Sequence, residues 1–319
     1  MEAVKTEETA EKVQTTGTKR RRKRVAVVVL AAATAFGMFN VGVRTIAPRM
    51  LFHPNDDPGA RAELTRIAEA AGNVEPMRTT LADGTEILGW AAFARTETEK
   101  TDAAESPESQ PPLVLYFEGN GGNSASRTLD VVRKPGPLAG FDFVCCDYPG
   151  YGESGGKPSA RTLKAFGLAA YDATAKAFPG RRIVVFGFSL GTGVASYVAS
   201  EREVAGLILA APYADGFDLF NNFAPIFYGP TRLAVSYRME AVKFAEKVDV
   251  RPLILATRPD ELVPFASSER LAKAFPKGAE FVAQDDVEHH WVWSTEEAGA
   301  AIAEYLRSLT PPESSEATR

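Results

Sequence analysis

Cysteine is scarce in this chain: Cys145 and Cys146 are the only two among 319 residues. Neighbouring residues have poor geometry for a disulfide, and no further thiol or Cys/His spacing is present to hold a metal. A disulfide framework and a structural metal site are therefore excluded, and the pair, set in an apolar run, reads as two small buried side chains. Histidine is almost as rare, limited to His53, His289 and His290. An excess of positive charge is also missing. With 36 basic and 41 acidic residues the net charge is −5, which does not suit a general nucleic-acid binder. The rest is ordinary. A content of 45% hydrophobic residues with 26 Gly and 21 Pro excludes a wholly disordered or collagen-like chain. The length suits one α/β domain of about 250 residues with extensions.

What the chain does have is an uneven start. Residues 1–18 are polar and rich in Thr and Glu, the composition of a disordered tail, and six cations follow from Lys19 to Arg24. A basic hexamer alone could serve nuclear targeting or nucleic acid. The next 19 residues, 25–43, carry no charge, and Arg44 ends the run. As a helix that stretch spans ~28 Å, close to the hydrocarbon thickness of a bilayer. The cationic flank places residues 1–24 on the cytoplasmic side and the chain beyond Arg44 on the outer, periplasmic or extracellular side. Ala33-Thr34-Ala35 resembles a signal-peptidase site, so a cleaved secretory signal is the rival. The apolar run, however, continues past it and exceeds the roughly 7–15 residues of a signal core. A buried core helix would leave the cationic flank without a reason. The expectation is an uncleaved, single-pass anchor over 25–43 that follows a basic tail, 1–24.

Beyond the anchor, residues 50–58 are turn-rich and are expected to lead away from the bilayer, with His53 at the surface. Extended runs at 74–80 and 87–93 flank Ala82-Asp83-Gly84, a hairpin signal. Residues 95–112 are charged and low in complexity, which predicts a flexible surface loop. Short apolar runs at 113–117, 141–146, 183–186, 205–209, 252–256 and 279–283 then alternate with helical patterns at 160–178, 191–200 and 266–275. Strands that are apolar throughout and separated by helices predict a mostly parallel sheet covered on both faces. A last helix is expected from Ser294, with Glu297 completing a capping box. The predicted domain covers 44–310, with a disordered tail over 311–319. The crossover 211–250 is long and aromatic-rich, and leaves the sheet at the edge where ligands bind in such folds, which suits a small lid.

One pentapeptide carries most of the chemistry. Gly187-Phe188-Ser189-Leu190-Gly191 stands directly between a strand and a helix, the context that G-x-S-x-G requires to present a serine on a tight, strained turn. A serine hydroxyl needs a base. His53 precedes the folded domain, so His289 or His290, both after the last strand, remain as candidates. The third member belongs between Ser and His in the chain. Asp260 fits, placed after the strand at 252–256, while Glu261 and Asp215 are rival acids. The run Gly119-Asn120-Gly121-Gly122 lacks the further Gly of a dinucleotide fingerprint, since Ser124 stands there. No cofactor is expected.

Together, Phe117-Glu118-Gly119-Asn120-Gly121-Gly122-Asn123, Asp147-Tyr148-Pro149-Gly150-Tyr151-Gly152-Glu153-Ser154, the pentapeptide and Asp260-Glu261-Leu262-Val263-Pro264 resemble the serial signatures of the α/β-hydrolase superfamily over about residues 70–310. The likeness is to its serine-aminopeptidase-like, membrane-tethered branch, which includes lysophospholipid lipases and protein depalmitoylases. The resemblance implies an eight-stranded α/β-hydrolase sheet. It implies Ser189 as nucleophile, Asp260 as acid and His289 as base. It also implies an oxyanion hole from the backbone N–H groups of Asn120 and Leu190. Glu118 stands where that branch usually has His, and Pro149 where it usually has Arg. The implied reaction is hydrolysis of carboxylic esters or thioesters of lipid or acyl type, without metal or cofactor. The alternatives are a non-catalytic membrane binding or signalling protein on the same fold, and a serine peptidase.

Overall fold

The computed structural model describes residues 2–94, 107, 110–223, 229–235 and 237–310. Most of the loop expected over 95–112 and the tail expected over 311–319 lie outside the described residues, as do 224–228 and 236 of the long crossover.

Helix α1 runs from Glu2 to Leu51. It is helical where the composition predicted a disordered tail. Residues 2–16 contain neither Pro nor Gly and are rich in Glu, Lys and Ala, so local propensity favours extending the apolar helix backwards. Within α1, Arg21–Ile46 is long and apolar enough to cross a membrane, and its apolar window is not buried against the rest of the protein. Its polar side chains are satisfied inside the helix: Thr34 Oγ1, Asn40 Nδ2 and Thr45 Oγ1 donate to the carbonyls of Leu30, Phe36 and Val41 at 2.8–2.9 Å. That arrangement suits a surface facing hydrocarbon.

Helix α2 (Pro58–Ala71) begins where the turn-rich segment 50–58 ends. Its signals are conventional: Asp57 caps it by accepting from Ala60 N, Pro58 begins it, and Gly72 ends it in a left-handed conformation at φ +64°. The strands are β1 (Val74–Thr80), β2 (Glu86–Ala92), β3 (Leu113–Phe117), β4 (Phe143–Cys146), β5 (Ile183–Phe188), β6 (Gly206–Ala210), β7 (Leu253–Thr257) and β8 (Glu280–Gln284). Their order across the sheet is β1-β2-β4-β3-β5-β6-β7-β8. The β1–β2 and β2–β4 pairs are antiparallel and every later pair is parallel. This is the predicted α/β-hydrolase sheet.

The central strands β3, β5, β6 and β7 are buried along their whole length because helices cover both faces. Alternate side chains separate into two cores, as the two-residue period of a strand requires. Leu113, Leu115, Ile183, Val185, Leu207 and Leu209 face one side, packed by α4 (Ala160–Ala177), α5 (Leu190–Glu201) and α8 (Phe265–Ala272). Val114, Tyr116, Val184, Phe186 and Ile208 face the other, packed by α2, α3 (Ser124–Arg133) and α9 (Glu296–Ser308). The cap of α9 differs from expectation by one residue. Thr295, not Ser294, accepts from Ala298 N, so no capping box forms with Glu297. Cys145 and Cys146 are free and buried, and burial pushes the Cys146 thiol up to about 12.

The crossover contains α6 (Gly216–Phe223) and α7 (Ala241–Ala245). Phe217, Ala234 and Val235 form a small separate core against which Val43 of α1 packs. The lower end of the apolar helix thus touches the segment that the sequence suggested as a lid.

Candidate active site

Every strand of the parallel set delivers its carboxyl end to the same edge, and the candidate residues lie in the loops there. At the end of β5, Ser189 has φ +49° and ψ −114°. Positive φ is costly for a residue with a Cβ, and Ala211 is the only other non-glycine with it among the described residues. The turn is held by sterics. A Cβ on Gly191 would meet Phe117 O at 2.1 Å, so only glycine lets the start of α5 press against the end of β3. Ser189 N–H donates to Ala210 O at 2.8 Å, which ties the turn to β6.

His289 follows β8 in a short 3-10 turn, His289–Trp291. The loop that carries it is fastened by Gln284, a buried residue whose Nε2 donates to Val292 O at 2.6 Å and whose Oε1 accepts from Thr295 Oγ1 at 2.6 Å. His289 Nε2 lies 2.9 Å from Ser189 Oγ. On the other side of the ring, Nδ1 lies 2.9 Å and 2.8 Å from the two carboxylate oxygens of Asp260. Asp260 Oδ1 also accepts from Leu262 N at 2.8 Å and Val263 N at 2.7 Å. The side chains of His289 and Asp260 are only 2% and 3% exposed. An ionised carboxylate can only accept, so the imidazole proton belongs on Nδ1 and Nε2 is left to accept from the serine hydroxyl.

The rival residues stand elsewhere. His290 is exposed, its ring edge-on to that of His289 at 5.5 Å. Asp215 accepts from Phe217 N at 3.0 Å and pairs with Arg232 at 3.2 Å. The backbone carbonyl of Glu261 accepts from Asn222 Nδ2 at 2.6 Å, which joins α6 to the loop bearing Asp260.

The loop after β3 abuts the elbow: a Cβ on Gly119 would lie 2.7 Å from the Phe188 ring and 3.7 Å from Ser189 Cβ. The loop that bears Asn120 and the start of α5, which bears Leu190, thus both lie beside the serine. The Leu190 N–H, first in α5, has no acceptor within the helix. Glu118, the departure noted in the sequence, turns away from the site. It is 6% exposed and receives Arg127 Nε and Nη2 at 2.8 Å and 3.0 Å, while the guanidinium lies 5.4 Å from the Tyr116 ring centre and 5.1 Å from that of Trp293. Two further residues support this loop, and sequence reasoning did not single them out. Tyr148 OH donates to Glu118 O, and Tyr151 OH donates to Asn120 Oδ1 at 2.9 Å. Burial pushes both phenols above their ordinary range. Their signal was the Asp-Tyr-Pro-Gly-Tyr-Gly run, in which neither hydroxyl had a visible partner. Among the described residues no group of three or more His, Cys, Asp or Glu is arranged to hold a metal ion.

A mostly parallel sheet with a serine elbow after β5 defines a class, and the chain belongs to the α/β-hydrolase superfamily. The family model for the alpha/beta hydrolase fold matches residues 112–229, and that for TAP-like proteins matches residues 231–318. An uncharacterized protein of Mycobacterium tuberculosis H37Rv is 27% identical over 273 residues, covering 85% of this chain and 90% of that protein. The lysophosphatidylserine lipase ABHD12 of Danio rerio is 28% identical over 185 residues, 52% of this chain and 48% of the lipase. The chain thus matches about half the length of that lipase. Among solved structures, the esterase Pf2001 of Pyrococcus furiosus aligns with a TM-score of 0.62 at 16% identity, covering 82% of this chain and 99% of the esterase. An acetyl xylan esterase from Paenibacillus sp. R4 aligns with a TM-score of 0.59 at 14% identity, covering 83% and 98%. At these identities the structural likeness establishes the fold. With the lipase relative, it supports a hydrolase.

Proposed function

We propose that this chain is a membrane-tethered serine hydrolase that cleaves carboxylic esters or thioesters of lipid or acyl type, with Ser189 as nucleophile, His289 as base and Asp260 as the acid that orients it. One observation carries the reading: the unbroken chain of contacts from Asp260 through His289 to Ser189, with no separation above 2.9 Å.

The chemistry follows from that order. As Ser189 Oγ attacks a carbonyl carbon, its proton passes to His289 Nε2, and the buried carboxylate of Asp260 stabilises the imidazolium. Negative charge gathers on the carbonyl oxygen, where the N–H groups of Asn120 and Leu190 receive it. Collapse expels the alcohol or thiol, which takes the proton from Nε2. A water, deprotonated by the same nitrogen, then releases the acid and restores Ser189. The preference for lipid-like acyl groups is supported by the apolar helix, by the contact of its Val43 with the crossover core, and by the likeness to a lysophosphatidylserine lipase over half that protein's length. The cationic run before the helix favours an outer catalytic domain, with residues 1–24 inside.

The test is labelling of the detergent-solubilised full chain with a fluorophosphonate probe, alongside hydrolysis of p-nitrophenyl esters. We expect labelling and turnover in the wild type, and neither in Ser189→Ala. Retained labelling in that variant would remove Ser189 as the reactive group, and inertness of the wild type would favour a non-catalytic binding protein on this fold.

A further inference from the structure

The segment that leaves the apolar helix is tied to the catalytic domain at several points. Phe52 is buried, its ring edge-on to Tyr237 at 5.7 Å. Asn55 O accepts from Gly152 N at 2.9 Å, and Asp57 Oδ2 accepts from Ser126 Oγ at 2.8 Å. Between these attachments the segment meets the side chain of Asn120. Leu51 O accepts from Asn120 Nδ2, and His53 Nδ1 lies 2.8 Å from the same nitrogen. Asn120 Oδ1 accepts from His53 N at 3.0 Å and from Tyr151 OH at 2.9 Å. A carboxamide has two donors and two acceptor positions, so all four are filled. Three of the four partners come from residues 51–53, where α1 ends.

That saturation matters because of what it holds. Asn120 stands in Gly119-Asn120-Gly121-Gly122, a run with little stiffness of its own. Its backbone N–H is useful to an oxyanion only if aimed at one point, since preorganisation is the source of the effect. The clamp on the side chain fixes the peptide that bears this N–H.

We propose that the stretch linking the membrane helix to the catalytic domain is a working part of the oxyanion hole, with His53 and Tyr151 as positioning residues that aim the Asn120 N–H. The inference rests on the reading of Ser189 as nucleophile. It implies that the tether does more than hold the enzyme at a surface: a shift of α1 relative to the domain would alter turnover without touching Ser189, His289 or Asp260.

The experiment uses the full chain in detergent and a short-chain p-nitrophenyl ester, comparing wild type, Ser189→Ala, Tyr151→Phe, His53→Ala and His53→Asn. A misaimed donor weakens the transition state more than the bound substrate. Tyr151→Phe and His53→Ala should therefore each lower kcat by about tenfold, a fraction of the roughly 10²–10³ lost with a whole donor, while KM changes less than twofold. Affinity for a trifluoromethyl ketone, which mimics the tetrahedral adduct, should fall in the same ratio as kcat, a correlation that a merely structural defect would not produce. His53→Asn, which returns an acceptor near Nδ1, should restore most of the rate. If Tyr151→Phe fails to fold, His53→Ala, at an exposed side chain, carries the same test. Wild-type kcat in both variants, with Ser189→Ala inactive, would overturn this inference alone. Turnover surviving in Ser189→Ala would overturn it together with the reading on which it rests.

Discussion

Two loops meet at the candidate active site, and they are held by different means. The elbow at Ser189 is fixed by crowding: backbone presses on backbone at Gly191, and the serine is forced to a positive φ. The loop at Asn120 is fixed by hydrogen bonds borrowed from residues 51–53 and Tyr151, with the Glu118–Arg127 pair beneath it. The first arrangement is compact and intolerant, because excluded volume has no partial form. The second is distributed, and each bond can be weakened without losing the rest. On the proposed reading, the nucleophile is held immovable, whereas the oxyanion donor stays adjustable from outside.

The sharpest way to test the intolerant side is Asp260→Asn. Leu262 N–H and Val263 N–H both point at Oδ1, so the amide oxygen of an asparagine would settle there. Its NH2 would then face His289 Nδ1. That nitrogen would have to accept, the ring proton would move to Nε2, and the group facing Ser189 could no longer take a proton. We expect kcat to fall on the order of 10⁴-fold with the fold intact, read by steady-state kinetics beside circular dichroism. A loss of only a few-fold would mean that His289 does not depend on Asp260 for its tautomer.

Gly191→Ala comes next. The added methyl carbon would sit 2.1 Å from Phe117 O, and backbone on both sides cannot yield cheaply. Either α5 retreats, carrying Ser189 from His289, or the end of β3 moves. A displacement near 1 Å at reacting groups costs about 10²-fold, and overpacking lowers stability by about 1–3 kcal/mol. Fluorophosphonate labelling rate and thermal unfolding read both effects. Unchanged values would show that the elbow is softer than the close approach implies.

The same contrast explains what could be read from the chain alone. Crowded elements leave local marks: the elbow pentapeptide and the apolar runs of β3, β5, β6 and β7 are read from residues adjacent in sequence, whereas the choice of Asp260 and His289 among their rivals rests on the family resemblance. The eight strands accordingly lie within two residues of where periodicity placed them. Distributed elements leave none. Asn120 and His53 are 67 residues apart, and Tyr151 OH reaches Asn120 from 31 residues away, so no window contains both partners. Helix α2 is a different case. Its Asp57 cap, Pro58 start and Gly72 end are local signals, yet residues 59–73 drew no expectation of their own. The extension of α1 back to Glu2 was hidden because charge and Thr content outweighed helix propensity in the reading.

The mildest test falls on the adjustable side. Glu118 is buried against Arg127, whose side chain is 22% exposed, and the carboxylate accepts two hydrogen bonds from the guanidinium. Glu118→Gln keeps the volume that Gly122 packs against but leaves Arg127 with only the exposed Asp130 carboxylate, 4.0 Å away, as counter-charge, and with at most one acceptor at position 118. Breaking a buried pair by removing one partner costs about 3–5 kcal/mol. Because the Arg127 guanidinium also rests on the Tyr116 and Trp293 rings and keeps some water, we expect about 2 kcal/mol here, at the level of hydrogen bonds to a charged group. The unfolding temperature should fall by several degrees. Turnover should change by less than about threefold at a temperature where the protein is folded, because the four bonds to the Asn120 carboxamide still aim its N–H. A loss of kcat comparable to that of Tyr151→Phe would show that the ion pair, not the clamp from residues 51–53, sets the loop. The oxyanion side would then be as locally determined as the elbow.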